Sequence, residues 1–483
     1  MEKSKKPMIS IIVCSKDKTL LEGLNGNVEK TIGCEFEILG IDNKIGNSIC
    51  YVYNEGVKKA KYPYLCFVHE DVRFLTENWG RKVVEKLENN EVGVLGVAGS
   101  SLMPENGMWF SVKKPFVMGR VVHVVNGKER LDRYGSIRED GEVVVLDGLF
   151  LACRKEVGEK FLFDEELDGF HFYDVDFSLR VSKELKNIVT YDILLKHFSG
   201  GKKDESYERL RKKFIEKHSL PYTKLEKIPN RSFEWRAVDF DSNKNYPKML
   251  IGCPTSKDYE YCVEEYLMRV FSLNYPNFDI LLVDNSEGNE FYEKLKEYGI
   301  KVIKSEFNES AIKRVVNSRN IIRDYALKNE YDYFFSLEQD VIPPFEVIET
   351  LLDSKQKVIS GLYFGFTNPY EFGDVKKITL MPVAYKLFNE EEKKKSSKEQ
   401  NFRRLNELDI NPPRKIAVRM TGLGCMIIHK DVLEKTKFRF DEERKNTDDR
   451  YFSDDVYDMN VPIVLDTRMR CKHLVVNKNV KWI

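Results

Sequence analysis

At 483 residues the chain is too long for one ordinary hydrophobic core and calls for two or three domains. Its 78 basic and 78 acidic residues balance, which argues against a nucleic-acid partner, and no run nears the roughly 18 apolar residues of a transmembrane segment. The nine cysteines are odd in number and lack a C-x-x-C pair; most (Cys14, Cys66, Cys253, Cys425) sit in apolar runs and read as reduced core thiols of a cytoplasmic protein.

Ile9 to Cys14 is a β-branched run followed by polar Ser15-Lys16-Asp17, a first strand and turn. Helical spacing runs from about Thr19 to Lys30, and Phe36 to Ile41 form a strand ending in Asp42-Asn43. Ile49 to Ala60 reads as a helix carrying Asn54. Tyr64 to Val68 is a short buried strand that stops abruptly in His69-Glu70-Asp71. Val92 to Val97 is the next strand. Residues 104 to 140, rich in Gly, Pro and charge, are assigned no element, with Trp109 and His123 as isolated features. Val143 to Leu146 lead into Asp147-Gly148 and then Leu149 to Cys153. The densest acidic stretch, Phe163 to Asp176, runs into a helix through Leu185. Tyr191 to Leu195 form a strand ending in Lys196-His197-Phe198-Ser199-Gly200-Gly201. Strands alternating with helices predict an α/β fold with a mostly parallel sheet, its strand-end acids lining a crevice.

A charged helix over 202 to 220 and a polar stretch to about 246 mark a boundary, giving domains 1–235 and 236–483. The design then restarts. Lys248 to Cys253 is again a first strand, followed by Pro254-Thr255-Ser256, and Asp279 to Val283 ends in Asp284-Asn285. Ile312 to Leu327 is a helix with Asn317, Arg319 and Asn320. Tyr333 to Leu337 stops in Glu338-Gln339-Asp340. Further strands are expected over Val358 to Leu362 and Thr379 to Tyr385. A charged insert, Asn389 to Glu407, reads as a surface loop, with a lid as the alternative. Thr421 to Ile428, Phe440-Asp441-Glu442-Glu443, Asp454-Asp455 and Cys471-Lys472-His473 close the second half.

Both halves therefore present the same order: an Asp-Asn strand end, an x-x-Asp tip, a Gly-containing strand, an acidic cluster and a late histidine. In the tip the first and third side chains point to one side, where they can hold a divalent cation and through it a diphosphate. A further carboxylate can take a proton from an attacking hydroxyl, and a neutral histidine at a strand end can complete the cation's coordination.

These motifs resemble glycosyltransferases of the family 2 type with the GT-A fold. The marks in the first half are Ile11-Ile12-Val13-Cys14-Ser15, Tyr53-Asn54-Glu55-Gly56, His69-Glu70-Asp71-Val72, Leu146-Asp147-Gly148-Leu149-Phe150, Phe170 to Asp176 and His197 to Gly201. The resemblance implies two Rossmann-like GT-A domains in tandem and an inverting, metal-dependent enzyme using Mn2+ or Mg2+. Its donors would be nucleotide-diphospho-sugars and its acceptor a glycan, a lipid-linked sugar or a protein. It implies Asp71, His69 and His197 as metal ligands in the first half, with Asp174 as general base. In the second half the ligands are Glu338, Asp340 and His473, and the base is Asp455 beside Asp454. Ser15, Asp42, Asn43, Asn54, Thr255, Asp284, Asn285 and Arg319 fall at nucleotide-sugar positions, and Trp109, Asp147 and Gly148 at acceptor positions.

Three departures stand out. His69 replaces the first acid of the tip, and Tyr173 replaces the Glu before the base. The first half also lacks a βα unit between Asp42 and Asp71. Two alternatives stay open: one half serving only to bind nucleotide-sugar or acceptor, and a nucleotidyltransferase. The latter usually carries a Gly-rich basic loop after its first strand, which Ser15-Lys16-Asp17 and Pro254-Thr255-Ser256 do not supply.

Overall fold

The computed structural model of the chain describes residues 7–43, 46–112, 116–135, 139–199, 205–225, 235–366, 380–395, 401–441, 443 and 447–474. Gly200 and Gly201, Glu442 and residues 396–400 of the charged insert lie outside the described residues. The chain divides into two compact units, Met1–Lys244 and Asn245–Ile483. The border lies beyond 235/236 because the strand Val238–Asp239 pairs with Lys128–Tyr134 of the first unit, Val238 opposite Leu131.

The first unit is built on a seven-stranded sheet. Its strands run, in spatial order, Glu35–Asp42, Met8–Ser15, Tyr64–Val68, Phe150–Arg154, Val92–Gly96, Lys186–Val189 and Gly141–Val143. The first three are mutually parallel, whereas Phe150–Arg154 runs antiparallel to both neighbours, so the sheet is mixed. Strand alternation sends Ile9, Ile11 and Val13 into one apolar layer and Ile12 and Phe67 into the other. Helices cover both layers: Ile49–Lys59 and Tyr173–Ser182 on one side, Lys18–Thr31 and Trp79–Leu87 on the other. Burying each large apolar side chain of these layers contributes about 1.5–3 kcal/mol. Trp79, fully buried and stacked on Phe74 with ring centroids 3.8 Å apart, anchors one layer. Asp17 starts the first helix by accepting from the amides of Thr19 (2.8 Å) and Leu20 (3.2 Å).

Residues 104 to 140, assigned no element from the sequence, contain a long hairpin, Val117–Val125 with Lys128–Tyr134. Its turn is Asn126-Gly127, both at positive φ (51° and 74°), the two-residue turn whose twist matches that of paired strands. This hairpin belongs to a second sheet, in which Val117–Val125 also pairs with Leu195–His197, and that strand with Val72–Phe74. The second sheet thus brings the late histidine back to the acid tip.

The second unit repeats this order. Its main sheet runs Lys301–Lys304, Phe278–Asp284, Met249–Thr255, Tyr333–Leu337, Cys425–His429, Val358–Leu362, Ile463–Arg470 and Lys415–Val418. The registers coincide. Ser15 pairs with Asp42 and Thr255 with Asp284, Val68 with Phe150 and Leu337 with Cys425, Val72 with His197 and Val341 with His473. The one additional edge strand is Lys301–Lys304, preceded by the helix Glu290–Lys296; this is the βα unit lacking between Asp42 and Asp71. The charged insert contributes the helix Glu390–Lys395 and the strand Phe402–Arg404, which pairs with Ala384–Leu387. Among the described residues no helix is long and apolar enough to cross a membrane.

Candidate active site

In the first unit the acid tip divides its side chains between two sides. Glu70 turns back to the first strand, accepting from the Ser15 hydroxyl (2.8 Å) and the amides of Lys16 and Asp17 (3.1 Å each). His69 and Asp71 face the other way and meet His197, with one donor atom from each lying within 4.8 Å of the others. His197 Nε2 stands 3.4 Å from Asp71 Oδ1 and 3.1 Å from the Ser199 hydroxyl. Burial alone would raise the Asp71 carboxyl, but the bond to His197 and its charge outweigh burial and hold it at about 2. Burial, reinforced by His197, lowers the pKa of His69 and favours its neutral, ligating form.

His123 lies opposite His197 in the strand pairing, ring centroids 5.6 Å apart, and Nδ1 of each is buried without a hydrogen-bond partner. Two imidazoles, one ionised carboxylate and unsatisfied ring nitrogens form a donor set that fits a divalent cation. Sequence reasoning left His123 aside; its strand neighbour is set by the hairpin that was missed.

A second group lies beside this cluster. Asp174, second residue of the helix Tyr173–Ser182, accepts from the Gly148 amide (2.7 Å). A side chain at position 148 would sit 2.1 Å from the Tyr173 hydroxyl and 2.8 Å from Asp174 Cβ, so only glycine permits this approach. Burial, and then the charge of Asp147, raise the Asp174 carboxyl to about 7, against the pull of the backbone amides. Asp147 also acts electrostatically on His69 and His197. Tyr173 joins the two groups directly, its hydroxyl 2.7 Å from His69 Nε2. A cavity of about 260 Å3 opens beside the tip, lined by Cys14, Lys16, Tyr53, His69, Asp71 and Phe170 among others.

Not every expected nucleotide or acceptor residue reaches this crevice. Asp42 is exposed at its strand end. Asn43 is buried and closes its own loop through Asn47, bonding both its amide (2.8 Å) and its carbonyl (2.9 Å). Asn54 is a correction: its side chain is saturated by the backbone of Phe163 (2.8 and 2.9 Å) and by Glu165, pinning a helix to a loop. Trp109 is half-buried and packs against both apolar layers, the lot of a large aromatic ring on a short turn.

The second unit keeps part of the pattern. Gln339, like Glu70, accepts from the first strand's terminal hydroxyl, here Thr255. Asp340 Oδ2 stands 3.3 Å from His473 Nε2, and this bond and charge raise the His473 pKa despite burial. A cavity of about 420 Å3, lined by Thr255, Asn285, Arg314, Tyr259, Tyr261 and Asp340 among others, corresponds to the one in the first unit.

Several assignments here are corrected. Glu338 is bonded to Arg319, whose Nε also holds Asp448 (2.7 Å) and whose Nη1 holds Ser336 (2.9 Å). Arg319 is therefore buried and fully engaged, and Glu338 faces it instead of the Asp340–His473 pair. Asp284 is fully buried and taken by Lys304 (2.7 Å) and Ser286, a partner supplied by the additional strand.

Asp454 is bound by Arg419 (2.5 Å) and Arg450 (3.1 Å), and Asp455 by Arg439 (2.5 Å), because both lie in the later turns of the helix Asp448–Asp458. The residue that occupies the position of Asp174, second in the corresponding helix, is Asp449. Burial, with the neighbouring Asp448 charge, raises its pKa. Sequence reasoning missed it, although the buried pairs Phe177-Ser178 and Phe452-Ser453, each three residues beyond the acid, carry the alignment.

Comparison with known proteins gives a family match over most of the first unit. Residues 10–218 match the model of a family described as "Glycosyltransferase like family". A Fuscovulum blasticum protein named "ATP synthase subunits region ORF 6" is 28% identical over 192 residues, covering 38% of this chain and 71% of that one. Among solved structures, GalNAc-T7 with UDP, GalNAc and Mn2+ aligns with a TM-score of 0.33 and 13% identity over 48% of this chain and 44% of its own. S. aureus TarS gives 0.30 and 16% over 45% and 35%, and A197 from STIV 0.27 and 14% over 47% and 86%. The chain thus spans less than half of the first two of these structures.

Proposed function

We propose that the chain is a glycosyltransferase of the hexosyltransferase type. It would move a sugar from a nucleotide-diphospho-sugar to a hydroxyl of a glycan, a lipid-linked sugar or a protein, with inversion at the anomeric carbon. One observation carries this reading: Asp174, its carboxyl raised to about 7, adjoins Tyr173, whose hydroxyl stands 2.7 Å from His69 of the His69–Asp71–His197 cluster. A base near neutrality can take an acceptor proton at physiological pH, which is what a single-displacement transfer requires. The cluster would hold Mn2+ or Mg2+, which when bound neutralises the leaving diphosphate. The Gly148 amide holds Asp174 Oδ2 in place.

The second unit would run the same transfer with Asp340 and His473 at the cation and Asp449 as base, forming a second linkage. A narrower reading, in which the second unit only binds a donor or acceptor, is favoured by the bond that commits Glu338 to Arg319.

The test is a thermal-shift and turnover screen of UDP-, GDP-, dTDP- and CMP-sugars on the full chain with and without Mn2+. Binding to the folded state alone raises the midpoint by mass action. A metal-dependent rise with slow release of free nucleotide is expected. No rise with any donor, in either condition, sinks the proposal.

A further inference from the structure

The helix that carries Asp174 begins in an unusual way. Its first intrahelical bond runs from the Asp176 amide to the Phe172 carbonyl (3.0 Å), so Phe172 caps the helix. Yet the Phe172 backbone is left-handed, with φ 64° and ψ −1°. A cap residue is ordinarily extended and accepts a first-turn amide through its own side chain, which phenylalanine cannot do. A bulky residue enters the left-handed region only where its surroundings hold it there. The corresponding helix of the second unit, Asp448–Asp458, starts from Thr447 at φ −79° and ψ 160°, so the shared design does not itself call for this turn.

What holds Phe172 is the helix Glu205–Lys217. Phe172 is buried, its ring centroid 5.1 Å from that of Tyr207 and 5.5 Å from that of Phe214. These two rings lie about two turns apart on one face of the helix. Between them Leu210 closes on Gly169, where an added Cβ would sit 2.7 Å from the leucine side chain. Just past the helix, His218 Nε2 stands 2.9 Å from Oδ1 of the buried Asp176. The charged side chains of the helix take the acids: Arg209 holds Asp168 (2.7 Å), and Lys217 holds Glu166 (2.9 Å) and Asp164. The acidic stretch ahead of Asp174 is thus fastened to this one helix at its acids, at Gly169 and at Phe172.

Asp174 follows Phe172 by two residues and lies within the first turn of the helix, so the direction in which that turn starts decides where its carboxylate lands. We propose that Phe172 is the positioning residue for Asp174. Its left-handed backbone, locked by Tyr207 and Phe214, sets the start of the helix and so aims the Asp174 carboxylate at the Gly148 amide. This rests on the reading of Asp174 as the base. Relaxed to an extended cap, position 172 would start the helix in another direction and draw Asp174 off Gly148. The backbone conformation at 172 is therefore what matters, and the ring is the means of holding it.

The experiment follows hydrogen exchange of the Gly148 amide by NMR of the full chain, labelled at glycine nitrogen, with the signal assigned by its loss in Gly148→Ala. Protection is taken relative to Gly96, in the strand Val92–Gly96, so that a change in global stability cancels. Three variants remove the ring and differ in their tolerance of a left-handed backbone. Phe172→Gly adopts it freely, Phe172→Ala at a cost, and Phe172→Val least readily. Gly148 protection should fall in the order Gly, Ala, Val, by about tenfold from first to last. A side chain that only filled space would give the reverse order, because valine leaves the smallest void. Phe214→Leu, an independent variant, should loosen Gly148 while Phe172 is present and add nothing in Phe172→Gly. With a turned-over donor, kcat should follow the same order, with about 100-fold between Gly and Val. Protection that is equal in the three variants, or that rises from Gly to Val, overturns the inference, as does an additive effect of Phe214→Leu. Exchange in the expected order without turnover of any donor by the parent chain strikes the transferase reading instead, and leaves the placement of Asp174 by Phe172 standing.

Discussion

Replacing Asp174 by Asn should abolish transfer by the first unit and at the same time stabilise it, more so as the pH rises. The sign follows from the raised carboxyl. Below the unfolded value of about 3.9 the group is neutral in both states and carries no cost. Between there and about 7 the unfolded chain releases the proton while the folded chain keeps it, so the native state weakens. Above about 7 the cost is constant. Between pH 5 and pH 8 the linkage integral is about 2–3 kcal/mol, and nearer about 2 once the partial solvent contact of Asp174 is allowed for. Asn preserves the shape and still accepts the Gly148 amide through its carbonyl.

Urea unfolding followed by tryptophan fluorescence reports mainly on this effect, because three of the four tryptophans, Trp79, Trp109 and Trp235, lie in the first unit and Trp482 in the second. The advantage of Asp174→Asn over the parent should grow by about 2 kcal/mol from pH 5 to pH 8, as a shift in midpoint at constant slope. An advantage that stays flat across this range, or that shrinks, refutes the assignment of a raised carboxyl at position 174.

Asp449→Asn should eliminate the second unit's product while Asp455→Asn leaves it within a few fold, as separate linkage analysis of the glycan would reveal. Loss of the same product from Asp174→Asn and Asp449→Asn would dismiss the idea of two sites. Gly148→Ala places a methyl group 2.1 Å from the Tyr173 hydroxyl. Displacing that helix end should cost about 1–3 kcal/mol of stability and about 100-fold in rate, checked by kcat with the fold verified by circular dichroism. Arg319→Met leaves Glu338 and Asp448 facing each other without their cation. The second unit should lose about 3 kcal/mol at neutral pH, measured by chemical unfolding, and the loss should shrink in acid as the carboxylates take up protons.

Much of this design is visible in the chain itself, because hydrophobic periodicity and strand-end acids are local properties. The runs Ile9 to Cys14, Tyr64 to Val68 and Tyr333 to Leu337 each stop at a charge, and the structure ends a strand there in every case. The absent βα unit was likewise legible from the short spacing between Asp42 and Asp71. Residue roles inside the crevice were not. Asn54 looks like a ligand contact until its partner 109 residues away is known, and Arg319 until Glu338 and Asp448 are seen to enclose it. Choosing Asp455 over Asp449 was an error of helix register, since both follow another aspartate and only the start of the helix tells them apart.

By itself the sequence determined two α/β units of one design, the strands that end in acid, and the late histidines. Covalent order and apolar alternation suffice for these, since each depends on residues close together in the chain. Only the tertiary structure decided that His69 bonds Tyr173, that Arg319 bridges Glu338 and Asp448, and that Asp174 lies against Gly148. Such pairings join groups 19 to 129 residues apart, and each is set by how helices and strands pack, which no local pattern encodes.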